Sequence, residues 1–415
     1  MSILIKNVEV NGQRADIAVE GNRIQTIAPN IHGTYDDVID GSSQLAAPPF
    51  YNTHTHAAMT LLRGYADDME LMDWLNNHIW PAEAKLGAED IYWGTRLACL
   101  EMIRSGTVFF SDMYFFPHEI ARAVEDCGMR AAIGLTILES SPKRELHRQH
   151  NLEILRRKKE LSSRIQLSIA PHAIYTVSDK GLKMAAELAE SENLTLNIHV
   201  AETAVEVSQC KEAHHGMTPV EYLSSLGVLS SRTIAAHSVH LTEHDIQLYR
   251  EHGVVSAFNP VSNMKLCSGI FQFRRLVDAG CRVTLGTDGA SSNNNLSMFD
   301  EMKTAALVAK LGHGGPLGAT SEEIFHCATQ SGAEAFGIDA GLIAPGRLAD
   351  IVLYDLDNPL MTPSFNAVSN LVYSADSSCV ATVICDGRVI MRDHIIPWAE
   401  ETIAHARECA GKLRG

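Results

Sequence analysis

Two histidines, His54 and His56, stand one residue apart in NTHTH, directly after an apolar run and a Pro-Pro pair. Side chains of an extended chain alternate faces, so both imidazoles leave one edge in the same direction. Later stretches add IHVAE, with His199 three residues ahead of Glu202, then AAHSVH with His237 and LGTDGA with Asp288. His54, His56, His199 and Asp288 together offer three neutral nitrogens and one carboxylate. That is the ligand set of zinc or a similar first-row divalent ion, with one position left to water. An HxH pair alone reads equally well as two hydrogen-bonded surface residues. Its combination with IHVAE and LGTDGA is what favours a metal.

Such residues need elements that bring them together. From residue 50 onward, short β-branched runs alternate with longer segments of helical period, the signature of βα units around a parallel sheet. The strands read as AAPPFYNTHTH, TVFFSDMY, RAAIGLTIL, IQLSIAPHA, LTLNIHVAE, TIAAHSVH, VVSAFNPVS and VTLGTDGAS, eight in all. Between them, segments such as AEDIYWGTRLACLEMIRSG and NLSMFDEMKTAALVAKL repeat apolar residues every three or four positions, as covering helices do. Eight units describe an α/β protein with a (β/α)8 TIM-type barrel, in which the strand C-terminal ends converge on one face. The polar residues at those ends are His54 and His56, Asp112, Glu139, His172, His199 with Glu202, His237, Asn259 and Asp288. Any one of them alone is an ordinary strand terminator. Together, so many histidines and acids at one end of buried strands would be costly to desolvate without a shared purpose.

The barrel leaves the termini unexplained. ILIKNVEV and ADIAVEGNRIQTIA near the start, and ADIVLYDLD and VATVICDGRVIMRD near the end, alternate around Gly-Asn and Asp-Gly turns. The expected organisation is a small composite β-sandwich formed by residues 1–50 and 349–415, with the barrel, 51–348, inserted between them. The final TIAHARECAGKLRG is expected to be a helix packed on the outside, and GHGGPLG at 312–318 a flexible loop.

Composition narrows the class. The 415 residues are 46% hydrophobic and 20% charged, which suits a large buried core. A formal net charge of −16 disfavours polyanion binding, so nucleic acid is not an expected partner and a small neutral or cationic molecule is. No apolar run is long enough to span a bilayer, and the first residues lack a secretory pattern, so no membrane partner and a cytoplasmic location are expected. Nine scattered cysteines without a CxxC pair read as reduced thiols. A homo-oligomer, dimer or tetramer, is expected.

The stretches PPFYNTHTHAAMTLLRGYADD, HIWPAEAKL, GTVFFSDMYF, APHAIYTVS, NIHVAETAVEV, AAHSVHLTE, NPVSNMKLCSG, LGTDGASSNNNLSMFDEMKTAALVAK and PGRLADIVLYDLD run in order along nearly the whole chain. In them the sequence resembles the amidohydrolase superfamily, within it the 5-methylthioadenosine/S-adenosylhomocysteine deaminase group, which borders the triazine hydrolases and guanine deaminases. The resemblance implies a barrel with a composite sandwich and a zinc-dependent aminohydrolase. It makes His54, His56, His199 and Asp288 ligands of one divalent ion, Zn2+ with Fe2+ or Mn2+ as other fits. One ion is implied because the fourth strand ends in Pro171-His172, where two-metal members place a modified lysine.

By the same resemblance, Glu202 shuttles a proton between the attacking water and a ring nitrogen, His237 faces that water, and Asp288 passes a second proton to the leaving amine. His172 would contact the purine and Glu83, in HIWPAEAK, the ribose hydroxyls. Asp112 is read as holding a ligating histidine or a nearby loop, outside the catalytic set. Ser291 and Ser292 follow Asp288 closely enough to line the pocket but read rather as helix caps, and Trp74 and Trp80 could cover a nucleoside but read rather as packing residues. Relatives acting on S-adenosylhomocysteine meet its carboxylate with arginines; an ungapped alignment puts Leu135 at one such place, leaving Arg144 or Arg148 as substitutes. The implied substrate is therefore an adenosine with a neutral 5′ group, such as 5′-methylthioadenosine or adenosine itself. The alternative is another amino-substituted heterocycle, guanine, a pterin or a triazine, on the same scaffold.

Overall fold

The computed structural model describes residues 2–414. Eight parallel strands, Phe50–Thr55, Thr107–Asp112, Arg130–Ile137, Ile165–Pro171, Thr195–Val200, Thr233–His237, Val255–Phe258 and Arg282–Leu285, pair in chain order, with helices between them. They are the eight runs read from the sequence. All but a few of their residues are buried, as expected of parallel strands covered on both faces. Local chemistry starts several helices: Thr218, Thr242 and Thr320 each accept a hydrogen bond from the backbone three residues on, and the acid there accepts one from the threonine's own N–H.

The barrel closes where its first and eighth strands meet, and the closure is built largely from side chains. Thr53 Oγ1 donates to Leu285 O at 2.9 Å, Asn52 Nδ2 donates to Thr287 Oγ1 at 2.7 Å, and Thr55 Oγ1 donates to Asp288 O at 2.8 Å. The Asp288 N–H reaches His54 O at 3.0 Å. This approach requires a glycine at 286, where a Cβ would stand 2.5 Å from Asn259 Oδ1 and 2.9 Å from both N and O of His54. The seam thus joins residues more than 230 positions apart, and it is what sets Asp288 against the HxH pair.

The termini build a separate eight-stranded sheet. Its path runs Arg388–Met391, Val380–Cys385, Ile351–Asp355, Gln44–Ala47, Ser2–Val10, Gln13–Glu20, Arg23–Ala28, with Asp37–Asp40 pairing alongside Ser2–Val10. The sheet folds over its own core of Ile3, Ile5, Val10, Ile17, Val19, Ile351 and Leu353. Its two similar turns meet: Asn22 Nδ2 donates to Asp386 Oδ1, and a Cβ on Gly387 would collide with Gly21 O. A buried ion pair fastens sheet to barrel. Arg130, on the third barrel strand, donates to both oxygens of Asp350 at 2.9 and 3.2 Å and to Asp386 at 2.7 Å, and Tyr51 adds its hydroxyl to Asp350.

The last helix, Ala399–Gly411, lies outside the barrel against Ala88–Arg104, with His405 stacked 4.1 Å from Trp93 and Lys412 bonded to Asp90. Residues 312–318 depart from the loop expected of them: helix Met298–His313 runs on to Gly314, whose φ of +76° ends it, and a short turn covers Pro316–Gly318. No helix among the described residues is long and apolar enough to cross a membrane.

Candidate active site

His54, His56, His199 and Asp288 converge at the barrel's C-terminal mouth, their ligand atoms within 4.8 Å of one another and all four residues buried. His56 Nδ1 bonds Met113 O at 2.7 Å and His199 Nδ1 bonds His172 O at 2.7 Å. A carbonyl only accepts, so each Nδ1 carries a proton and Nε2 is the nitrogen turned to the cluster. Both ring nitrogens of His54 are buried with no hydrogen-bond partner. Orphaned, buried imidazole nitrogens beside a carboxylate are costly unless a cation completes them, so the donor set fits a divalent metal.

The charges agree. Burial, then the charge of His56, lowers His54 well below the ordinary imidazole value, and burial with the crowding of His172 does the same to His199. His56 is the exception, since Asp288 Oδ1, 3.2 Å from its Nε2, outweighs burial and lifts it to about 9. Burial alone would raise Asp288, yet His56, His237 and His54 hold it well below the usual carboxylate range. Its other oxygen accepts hydroxyls from Ser262 at 2.6 Å and Ser292 at 2.9 Å. Ser292 therefore lies in the site and orients Asp288, a role that the capping expectation missed.

Glu202 and His237 sit beside the cluster. Glu202 Oε2 lies 3.7 Å from His237 Nε2, and Oε1 accepts from Ser268 Oγ at 3.2 Å. Burial, reinforced by Asp288, pushes the Glu202 carboxyl up to about 8. His237 Nδ1 accepts from Asn263 Nδ2 at 2.8 Å, which leaves the proton on Nε2, facing the cavity. Ala201, His237, Ser238 and Asp288 all hold φ between +50° and +71°, a strained concentration at the strand ends of the kind found at functional sites.

Above these residues is a narrow pocket with about 60 Å³ open to water. His172, Thr136, Tyr114 and Glu83 line it with Met59, Leu71, Trp74, Leu75 and Trp80. Glu83, Trp74 and Trp80 come from a segment, residues 71–83, wound in part as a wide π-helical turn. Burial raises Glu83 to about 7, against the pull of the Tyr114 hydroxyl. His172 stays neutral, at about 3, again through burial first, and its Nδ1 bonds Thr176 Oγ1 at 3.0 Å. A second cavity continues past Trp80, Glu83 and Phe115 between Leu86, Ile91, Phe116 and Lys143. Asp112 accepts from the Ala57 N–H at 2.8 Å and so holds the turn after His56. Glu139 turns away to Ser178. Leu135, Arg144 and Arg148 line a groove on the barrel's outer side, and Arg148 is paired with Glu145.

The amidohydrolase family model matches residues 45–390. The chain is 46% identical to the 5′-deoxyadenosine deaminase of Methanothermobacter thermautotrophicus, covering all of this chain and 99% of that protein. It is also 46% identical, over all of its length and 99% of the relative, to 5-methylthioadenosine/S-adenosylhomocysteine deaminase 1 of Archaeoglobus fulgidus. Among solved structures, an adenosine deaminase from Xanthomonas campestris with bound zinc superposes at a TM-score of 0.94 with 31% identity, over 99% of this chain and 98% of that one.

Proposed function

The chain belongs to the amidohydrolase family, and from that footing we propose that it is a zinc-dependent hydrolytic deaminase of adenine nucleosides with a small neutral 5′ group, releasing ammonia and the inosine analogue. The reading is carried by one observation, the three-histidine, one-aspartate cluster at the floor of a pocket whose wall holds the carboxylate of Glu83 between aromatic side chains. His54, His56, His199 and Asp288 would hold one divalent ion, a Lewis acid that makes water nucleophilic near neutral pH.

The remaining steps belong to the side chains. Glu202, buried with Oε2 3.7 Å from His237 Nε2, takes a proton from the attacking water as a carboxylate and hands it to the adjacent ring nitrogen. His237, protonated on Nε2, donates a hydrogen bond to the attacking oxygen as the carbon becomes tetrahedral. Asp288 passes the second proton to the departing amine while Ser262 and Ser292 hold its plane. His172 contacts the purine, and the Glu83 carboxylate accepts the ribose hydroxyls. Beyond Glu83, the cavity between Leu86, Ile91, Phe115 and Phe116 suits an apolar 5′ substituent, as in 5′-deoxyadenosine or 5′-methylthioadenosine. Its one cation, Lys143, already donates to Ala84 O at 2.7 Å, and Arg144 and Arg148 lie elsewhere, so S-adenosylhomocysteine fits less well.

The test is a panel of 5′-deoxyadenosine, 5′-methylthioadenosine, adenosine, S-adenosylhomocysteine, guanine and a triazine offered to zinc-replete protein, with ammonia and adenine absorbance followed. Turnover of the first three is expected. A protein inert to every nucleoside yet active on guanine or the triazine would belong to the alternative reading, and there Glu83→Ala would leave KM unchanged.

A further inference from the structure

The fifth barrel strand, Thr195–Val200, ends one residue before Ala201, whose φ of +50° turns the chain sharply and aims the Glu202 side chain back over the cluster. What holds that turn is a second, buried carboxylate. Glu206 Oε1 accepts from the Ala201 N–H at 2.9 Å and Oε2 from the Glu202 N–H at 2.8 Å. On its other side the Ala201 carbonyl accepts the N–H groups of Val239 and His240, at 3.1 and 3.0 Å, from the loop that follows His237. The peptide carrying Glu202 is thus clamped between Glu206 and the His237 loop.

Glu206 stands three residues after Thr203, whose hydroxyl caps helix Ala204–Ala213 by accepting from the Glu206 N–H. The usual acid in that position returns its carboxylate to the N–H of the capping residue itself. Here it bypasses Thr203 and makes both bonds outside the helix. Nothing in helix formation calls for that, and an isolated buried carboxylate is costly unless its oxygens are satisfied.

We propose that Glu206 is a positioning residue for Glu202: through the two N–H groups it fixes the turn from which the proton-carrying carboxyl reaches Ser268 and His237. The proposal rests on the reading in which Glu202 moves the proton. Glu206→Gln keeps the volume but faces one of the two N–H donors with an amide NH2, so one clamp bond is lost. A shift of about an ångström in a proton carrier costs on the order of 10²-fold in rate.

The experiment compares E206Q, the double variant A201G/E206Q and E202Q in the zinc-loaded enzyme, reading kcat, KM, zinc per chain and the unfolding midpoint. E206Q is expected to lose kcat by about 10²-fold while KM stays within roughly threefold, as for a group acting only on the chemical step, with zinc content unchanged. Glycine adopts a positive φ without strain but does not hold it, so A201G/E206Q removes any loss due to backbone strain while leaving the turn unclamped, and its kcat is expected to stay low. Wild-type kcat in E206Q, a loss that tracks zinc content, recovery in the double variant, or failure of both variants to fold overturns the proposal. An active E202Q would instead remove the role assigned to Glu202, whatever E206Q shows.

Discussion

Gly286→Ala tests whether the closure of the barrel sets the metal centre. The added methyl would meet His54 N and O at 2.9 Å, where ordinary contact begins near 3.4 Å, and Asn259 Oδ1 at 2.5 Å. Backbone atoms cannot swing aside as a side-chain tip can, so the first and eighth strands must part by about 0.5 Å, at an overpacking cost of about 1–3 kcal/mol. Three of the four residues of the cluster stand on or just past those two strands, His54 and His56 on one side of the seam and Asp288 on the other, tied by the 3.0 Å bond from the Asp288 N–H to His54 O. Metal–ligand distances tolerate only about 0.2 Å, so zinc affinity should fall on the order of 10–100-fold, the range seen when the supports of ligands are lost. Zinc per chain across a chelator series and guanidinium unfolding with and without zinc measure the two effects. Gly411→Ala is the control, since a Cβ there meets nothing within 4 Å, and it should stay within about 0.5 kcal/mol of wild type. A G286A protein that binds zinc as tightly as wild type would refute the claim that the seam sets the site.

Other outcomes follow from the same geometry. Glu202→Gln should lower kcat about 10²–10⁴-fold with zinc content unchanged, as assayed by ammonia release after zinc loading. Glu83 is raised to about 7, so it loses its proton, and becomes an acceptor on both oxygens, only as pH climbs through that value; KM for nucleosides should fall from pH 6 to pH 8, and Glu83→Gln should flatten the profile. Asp350→Ala leaves the buried Arg130 guanidinium with Asp386 as its acid partner and should cost about 3 kcal/mol in chemical unfolding, while Arg130→Met with Asp350→Leu should cost clearly less, because the charge it leaves, on Asp386, keeps its hydrogen bond from Asn22.

The barrel was legible in the chain because parallel strands are buried on both faces and stand out as apolar runs, each ending in a polar residue that the fold delivers to one rim. The convergence of His54, His56, His199 and Asp288 was legible because few positions combine HxH with a histidine and an aspartate at later strand ends. The supports were not. Ser262 and Ser268 reach Asp288 and Glu202 across 26 and 66 residues, and a serine in a short helix or a loop carries no mark of so distant a partner. Ser292 looked like a cap because its neighbours are good capping residues, a preference that a buried carboxylate overrode. Glu206 carried a signal, the Thr-x-x-Glu spacing, but that spacing announces a helix start and not the two amides that the acid reaches beyond it. The run Gly312–Gly318 reads as loop by its glycines, yet the packing of the helix before it carries the turns on to Gly314.

In the sheet made by the two ends, Gln44–Ala47 pairs with Ile351–Asp355, a strand some three hundred positions later. During synthesis at about 5–20 residues per second, the early strands wait roughly 15–60 s with an open edge before their neighbours leave the ribosome. An unpaired edge is a template for other chains, so nascent molecules are at their most aggregation-prone in that interval. A circular permutant that joins the native ends and opens the chain elsewhere would make the whole sheet from one continuous stretch, and its yield of soluble protein should rise when chaperones are scarce.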